Sequence, residues 1–151
     1  MITIRKRDMD ITYSDKISLS DYNKLRKSTK WIEIEKKQAH TGLKNSAFMI
    51  VAKDRNKTVG MARVITDGGY FALIVDVIVL PKYQKNGIGQ YMMQAVMDYL
   101  YSCIGEGQSM YINLMAEKNK EGFYEKFGFN KRPDKLNGAG MTQYIEKPVN
   151  K

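Results

Sequence analysis

Between Ser46 and Leu80 three apolar stretches of strand length follow one another, broken only by turn-forming residues. "SAFMIVAK" (46–53) and "TVGMARVI" (58–65) are separated by "DRNK", and "DGG" (67–69) leads into "GYFALIVDVIVL" (69–80), which Pro81 closes. Short apolar runs joined by hairpin-length turns make antiparallel strands. The period then changes. Ile88, Met92, Ala95, Val96 and Tyr99 share one face of a helix over 87–102, and "SMYINLMA" (109–116) returns to strand. Strand, helix and strand in that order require one crossover, so the sheet is mixed.

Around this centre the spacing predicts an extended piece over Ile2–Tyr13 and a helix capped by Ser18 or Ser20, with Leu19, Tyr22 and Leu25 buried. A polar helix over 33–45 places Ile34 and Leu43 on or near its buried side, a short helix covers 121–127, and "TQYIEK" (142–147) reads as a last strand. No repeat or linker divides the chain, so one domain over 1–151 is expected. The fold class is α/β: a mixed, mostly antiparallel sheet flanked by helices.

Composition removes several function classes. Cys103 is the only cysteine and His40 the only histidine, which excludes an intrachain disulfide and any multi-Cys or multi-His metal centre. No G-x-S-x-G elbow offers a hydrolase nucleophile. At a helix end and far from the Gly-rich loop, Cys103 reads as a structural thiol. The start, "MITIRKRDMD", lacks a signal-peptide core, and no apolar run reaches spanning length, so a cytoplasmic protein without membrane contact is expected. The net charge is +9, of which residues 1–60 carry +7 (14 Lys/Arg against 7 Asp/Glu). Such a surface attracts anions, but no aromatic-basic pattern or helix-turn-helix accompanies it, which argues against a nucleic-acid partner.

The most informative stretch is "QKNGIGQ", where Gly87 and Gly89 sit between strand and helix. Amide donors at a positive helix end, with no bulky side chain over them, suit an anion; glycines at such a turn also simply permit tight geometry. Neither the Walker nor the dinucleotide pattern is met: no Gly-Lys-Ser/Thr follows, and Met92 stands where the dinucleotide fingerprint needs Gly or Ala.

Val79, Pro81, Gln84, Gly87 and Gly89 spell V-x-P-x-x-Q-x-x-G-x-G, which resembles the acetyl-CoA signature of the GNAT acetyltransferase superfamily. Downstream, "EGFYEKFGF" resembles that superfamily's second signature, and the two stand one helix and one strand apart. The resemblance extends from Ile11 to Lys147. It implies a GNAT-like sheet in which the strand of Val79 splays from the parallel strand of Leu114. Val77, Ile78 and Val79 would line the pantetheine arm of acetyl-CoA. Lys85, Asn86, Gly87, Ile88, Gly89 and Gln90 would surround its pyrophosphate, with Lys82 and Lys85 as additional charge. Two positions depart from the commonest pattern: Gln84 replaces a frequent Arg, and Glu117 stands where many members carry Asn.

Acetyl transfer to an amine needs a neutral amine, a polarised carbonyl and a stabilised leaving thiolate. By the resemblance, Tyr124 is the general acid facing the sulfur. For the base there are two candidates. Asp76 interrupts an apolar strand, where a carboxylate is costly unless partnered or functional. Glu117 follows the opposite strand. Trp31, between the N-terminal helices, walls the acceptor site or plugs the core. "RP" at 132–133 and "GAGM" at 138–141 resemble small-amine acetyltransferases, including arylalkylamine types. The expectation is therefore an enzyme moving acetyl from acetyl-CoA to a small primary amine, without metal, as a monomer or homodimer. The rival is a non-catalytic CoA-sensing or nucleic-acid-binding module on the same fold.

Overall fold

The computed structural model describes residues 8–150. Two compact units divide at Leu114. The first holds a five-stranded sheet in the order β1 (Ile11–Ser14), β2 (Phe48–Asp54), β3 (Lys57–Thr66), β4 (Phe71–Val79), β5 (Tyr111–Leu114). Neighbouring strands are antiparallel except β4 and β5, which run parallel. The sheet is thus mixed and mostly antiparallel, as the apolar runs predict. Of the extended piece expected over Ile2–Tyr13, residues 2–7 lie outside the described part, and the strand occupies Ile11–Ser14.

Helices α1 (Leu19–Ser28) and α2 (Lys36–Lys44) precede β2, and α3 (Ile88–Ser102) makes the crossover between β4 and β5. Ser18, rather than Ser20, caps α1 by accepting from the Asp21 N–H at 3.0 Å. Helix α2 begins three residues later than its pattern suggests because Glu35 is its cap, with its carboxylate accepting from the Gln38 N–H. Tyr22, Leu25 and Ala39 pack with Val51, Met61 and Ile78 into one buried cluster against which Trp31, Ile34 and Leu43 rest. The other face belongs to α3, whose Met92, Met93 and Val96 are fully buried. Successive strand residues point to opposite faces, so Met61 serves one layer and Gly60 the other.

The second unit, described over 115–150, contains α4 (Glu121–Glu125). Phe123 meets Tyr124 and Phe127 edge-on, with centroids 5.0 and 5.6 Å apart. The strand expected over 142–147 is not formed: these residues belong to no ladder and every one is exposed. A strand needs a neighbour to satisfy its backbone, and periodicity alone does not supply one.

Gly60 links the layers to the strand that carries the Gly-rich loop. A Cβ there would lie 2.9 Å from the Ile78 carbonyl oxygen and 3.2 Å from Met92 Cε. Overpacking of this kind costs about 1–3 kcal/mol. Gly60→Ala is therefore expected to lower unfolding free energy by about that amount, measured by urea denaturation with an unchanged m-value.

Candidate active site

Strand β4 carries the first half of the site. Its ladder with β5 ends at the Ile74–Leu114 pair, yet β4 runs on through Val79. Val77, Ile78 and Val79 thus lie beyond the fork, with β3 as their ladder partner. Just before them the register slips: Met61 pairs Ile78 but Arg63 pairs Val75, so Ala62 opposes both Asp76 and Val77. Asp76 adopts the left-handed region at φ 52°, which Asp tolerates better than most residues and which bends a bulged strand.

The Asp76 carboxylate is held from three directions. Oδ2 accepts from the Tyr22 hydroxyl at 2.7 Å and from Arg63 Nε at 2.6 Å, while Oδ1 accepts from Arg26 Nη1 at 3.0 Å. Arg26 also donates through Nε to the Ile32 carbonyl, and its guanidinium lies 5.4 Å from the Trp31 ring centroid. Arg63 Nη1 reaches the Gly42 carbonyl and the Ser46 hydroxyl. Asn23 donates to the Ile34 carbonyl and accepts the Ile34 N–H, fastening the α1–α2 connection. Trp31 is half-buried against the core cluster. Asp76 also contributes to raising the Tyr22 hydroxyl pKa, after burial, which is the larger cause.

The second half of the site is the loop after β4. Pro81–Tyr83 forms a single 3-10 turn, and the buried Tyr83 hydroxyl donates to Asp54 Oδ2 at 2.9 Å. Gln84 Nε2 donates to the Val79 carbonyl, and Asn86 Nδ2 to the carbonyls of Tyr83 and Gln84. These side chains tie the loop to itself. Lys85 and Gly87 then take positive φ, 63° and 80°, turning the chain into α3. Gly87 is the helix cap, among the described residues no side chain bonds to the first-turn amides, and a Cβ at Gly87 would meet nothing within 4 Å. The amides of Ile88, Gly89 and Gln90 have no carbonyl one turn back to bond. Gln90 and Lys85 are exposed at this helix start, whereas Ile88 is core.

In the second unit Tyr124 packs edge-on against Phe123 and, at 6.4 Å, against Phe129. Burial, then the negative charge of Glu117, push its hydroxyl up to about 12. At neutral pH Tyr124 holds its proton. Glu117 itself is exposed.

Residues 45–131 match the sequence model of the acetyltransferase (GNAT) domain family. The chain belongs to the GNAT acetyltransferase family. Among its relatives is an uncharacterised N-acetyltransferase, ycf52, of Pyropia yezoensis, 33% identical over 139 residues that cover 89% of this chain and 78% of that protein. A crystal structure of a probable acetyltransferase from meticillin-resistant Staphylococcus aureus matches with a TM-score of 0.77 at 33% identity, covering 93% of this chain and 100% of that one. Serotonin N-acetyltransferase 2, chloroplastic, of Oryza sativa subsp. japonica is 37% identical over 85 residues, 56% of this chain and 40% of that protein. This GNAT protein is thus an acetyltransferase. Among its described residues no helix is long and apolar enough to cross a membrane.

Sequence reasoning finds Asp76 but misses its holders, Tyr22, Arg26 and Arg63. One signal was present: Arg63 interrupts apolar β3 as Asp76 interrupts apolar β4. The two charges meet across the β3–β4 pair, Arg63 Nε donating to Asp76 Oδ2 at 2.6 Å. Arg26 and Arg63 have side chains only 14% and 13% exposed, so removing the carboxylate strands two buried cations. Asp76→Ala is expected to cost about 3–5 kcal/mol. Tyr22→Phe removes one hydrogen bond and should cost about 1 kcal/mol. Chemical denaturation of both variants checks the ranking.

Proposed function

We propose that this GNAT protein transfers an acetyl group from acetyl-CoA to the primary amine of a small molecule. The observation that carries the proposal is the end of the β4–β5 ladder at Ile74, followed by a helix start at Gly87 whose cap offers no side-chain bond. A strand edge past its β5 ladder suits the amide-bearing pantetheine arm, and a helix N-terminus without a side-chain cap suits a pyrophosphate. Val77, Ile78 and Val79 would line the first, and Lys85, Asn86, Gly87, Ile88, Gly89 and Gln90 the second, with acetyl-CoA supplying the activated thioester. One domain over 1–151 is supported by the family match, which crosses the boundary at Leu114.

In the proposed reaction the amine nitrogen attacks the thioester carbonyl carbon, the C–S bond breaks, the amine loses a proton and the sulfur leaves as thiolate. Tyr124, as the acid, donates a hydrogen bond from its hydroxyl to that sulfur as negative charge gathers there. We assign removal of the amine proton to Glu117, exposed and electrostatically coupled to Tyr124. Asp76 has both oxygens committed to three donors, so taking a proton would disrupt the bulge it holds; we assign it to positioning. Trp31, half-buried, is assigned to the wall of the acceptor site. The serotonin N-acetyltransferase of rice supports a small, aromatic-bearing amine as acceptor class. We further propose a cytoplasmic location, needing no metal, and a two-copy assembly.

Turnover with acetyl-CoA against a panel of small amines and peptide amines, read as free thiol, tests the reading; no turnover with any small amine overturns it. Two variants probe its parts. Gly87→Asp and Gly87→Asn both tolerate the left-handed backbone and fill the same space, differing only in charge. Acetyl-CoA affinity by calorimetry should fall roughly 10–100-fold more in the Asp variant, the value of a charge-assisted hydrogen bond lost or opposed. Equal affinities in the two variants would remove the pyrophosphate from this helix start. Tyr124→Phe keeps the ring and its packing. It should lower kcat about 10–100-fold, the modest end for a positioned acid because a thiolate leaves readily, with acetyl-CoA affinity within a few-fold of wild type. Unchanged kcat would remove Tyr124 from the mechanism.

A further inference from the structure

A second carboxylate is buried in the first unit, and the proposed reaction does not use it. Asp54 closes β2 and is only 9% exposed. Its Oδ2 accepts from the Tyr83 hydroxyl at 2.9 Å, and its Oδ1 from the Asp10 N–H at 3.0 Å and Arg55 Nη1 at 3.2 Å. An Asp at the entrance of a hairpin turn ordinarily bonds the backbone of its own turn. Asp54 reaches instead back to the start of β1 and across to the segment after β4. Burying a carboxylate is costly unless it is paired and hydrogen-bonded, so this arrangement calls for a reason.

The β2–β3 hairpin holds that segment at two points. Ala52 pairs Gly60 but Lys53 pairs Thr58, so β3 carries one residue more than β2, and the extra residue is Val59. The Val59 carbonyl accepts the Leu80 N–H at 2.8 Å. Three residues on, the Tyr83 hydroxyl reaches Asp54. The Tyr83 ring is 6% exposed, with Lys57 Nζ 5.7 Å from its centroid. From Tyr83 the Gly-rich loop is built outward: the Tyr83 carbonyl accepts from Asn86 Nδ2 at 3.1 Å, and Lys85 and Gly87 take φ 63° and 80°. A lysine stays in the left-handed region only where its surroundings hold it there. The Gln84 and Asn86 amides bond within residues 79–86, whereas the Tyr83–Asp54 bond carries the loop to the hairpin.

We propose that Tyr83 and Asp54 are positioning residues for acetyl-CoA, their bond setting the direction in which the loop presents the amides of residues 87–90 to the pyrophosphate. The proposal rests on the pyrophosphate reading given above and names what keeps that site in its binding form. Both residues act through the loop. An amide array fixed before the anion arrives gives up little freedom on binding, and one hung from a loosened turn gives up more. The loss therefore falls on affinity for the pyrophosphate and spares the chemical step, which takes place at the thioester. A bond that served stability alone would not distinguish a ligand with a pyrophosphate from one without.

Tyr83→Phe, Asp54→Ala and the double variant test this, with acetyl-CoA binding followed by calorimetry and S-acetylpantetheine, which lacks the pyrophosphate, by NMR titration. Each single variant should bind acetyl-CoA roughly 3–10-fold more weakly, the worth of one hydrogen bond. Binding of S-acetylpantetheine should hold, and in turnover KM for acetyl-CoA should rise with kcat unchanged. The double variant should lose no more than the weaker single variant, because both changes break one bond. Tyr83→Phe keeps the buried ring, so it decides alone should Asp54→Ala fail to unfold cooperatively. Wild-type acetyl-CoA affinity in Tyr83→Phe overturns the positioning role and leaves the pyrophosphate reading standing. Equal losses for the two ligands, or losses that add in the double variant, overturn it as well. A wild-type protein that binds S-acetylpantetheine as tightly as acetyl-CoA overturns the pyrophosphate reading and this proposal together.

Discussion

A single carboxylate organises the first unit. Asp76 sits where β4 carries one residue more than β3 opposite it, in a backbone region that a side chain occupies only with support. The support is electrostatic. Arg63 approaches from the neighbouring strand, and Arg26 with the Tyr22 hydroxyl from α1. A buried ion pair repays its desolvation only when hydrogen bonds satisfy its remaining donors, and here the Ile32 and Gly42 carbonyls and the Ser46 hydroxyl do so. The same network therefore fixes three things at once: the bend of β4, the seat of α1, and the connection that carries Trp31. Hydrophobic burial holds the layers together, but it does not choose where β4 turns away from its straight course. The paired charges do.

That bend sets the direction of the chain after Val79. The ladder with β5 has already ended, and Pro81 stops further strand. Tyr83 anchors the turn to Asp54 at the end of β2, so the loop is tied back to the sheet. Gln84 spends its amide on the Val79 carbonyl at the end of β4 and Asn86 on two loop carbonyls, which stiffens the path into α3. Gln84 thus has a structural occupation of its own. Loop rigidity matters energetically because an amide array arranged before binding loses little conformational freedom when an anion arrives.

Much of this was legible in the sequence because it is periodic or punctuated. The apolar runs, the breaks "DRNK" and "DGG", Pro81 and Gly87 gave the strands, the hairpins, the crossover and the helix start. Asp76 was legible as an anomaly, a charge inside an apolar strand, and so were both family signatures. The partners of Asp76 were not. Arg26 lies 50 residues away in sequence and reads as an ordinary last-turn cation, and Tyr22 as an ordinary core ring. Contacts across such separations leave no local mark. The segment at 142–147 failed for a related reason: its composition is that of a strand, but a strand is a relation between two segments, and a sequence shows only one of them at a time.

The proposed chemistry gains coherence from the coupling between Glu117 and Tyr124. A phenol held near 12 is a weaker acid than a thiol at about 8.5, so complete proton transfer to a departing thiolate is uphill while Glu117 is charged. Part of that elevation is the Glu117 charge itself. In the proposed reaction, uptake of the amine proton by Glu117 would remove that charge and leave the phenol a better donor as negative charge gathers on sulfur. Proton removal at one end of the reaction thereby favours donation at the other, without a covalent intermediate. The larger share of the Tyr124 shift comes from burial, which persists throughout. In the proposed reaction the hydroxyl would therefore serve chiefly as a hydrogen-bond donor to the leaving sulfur, with placement contributing more than acidity.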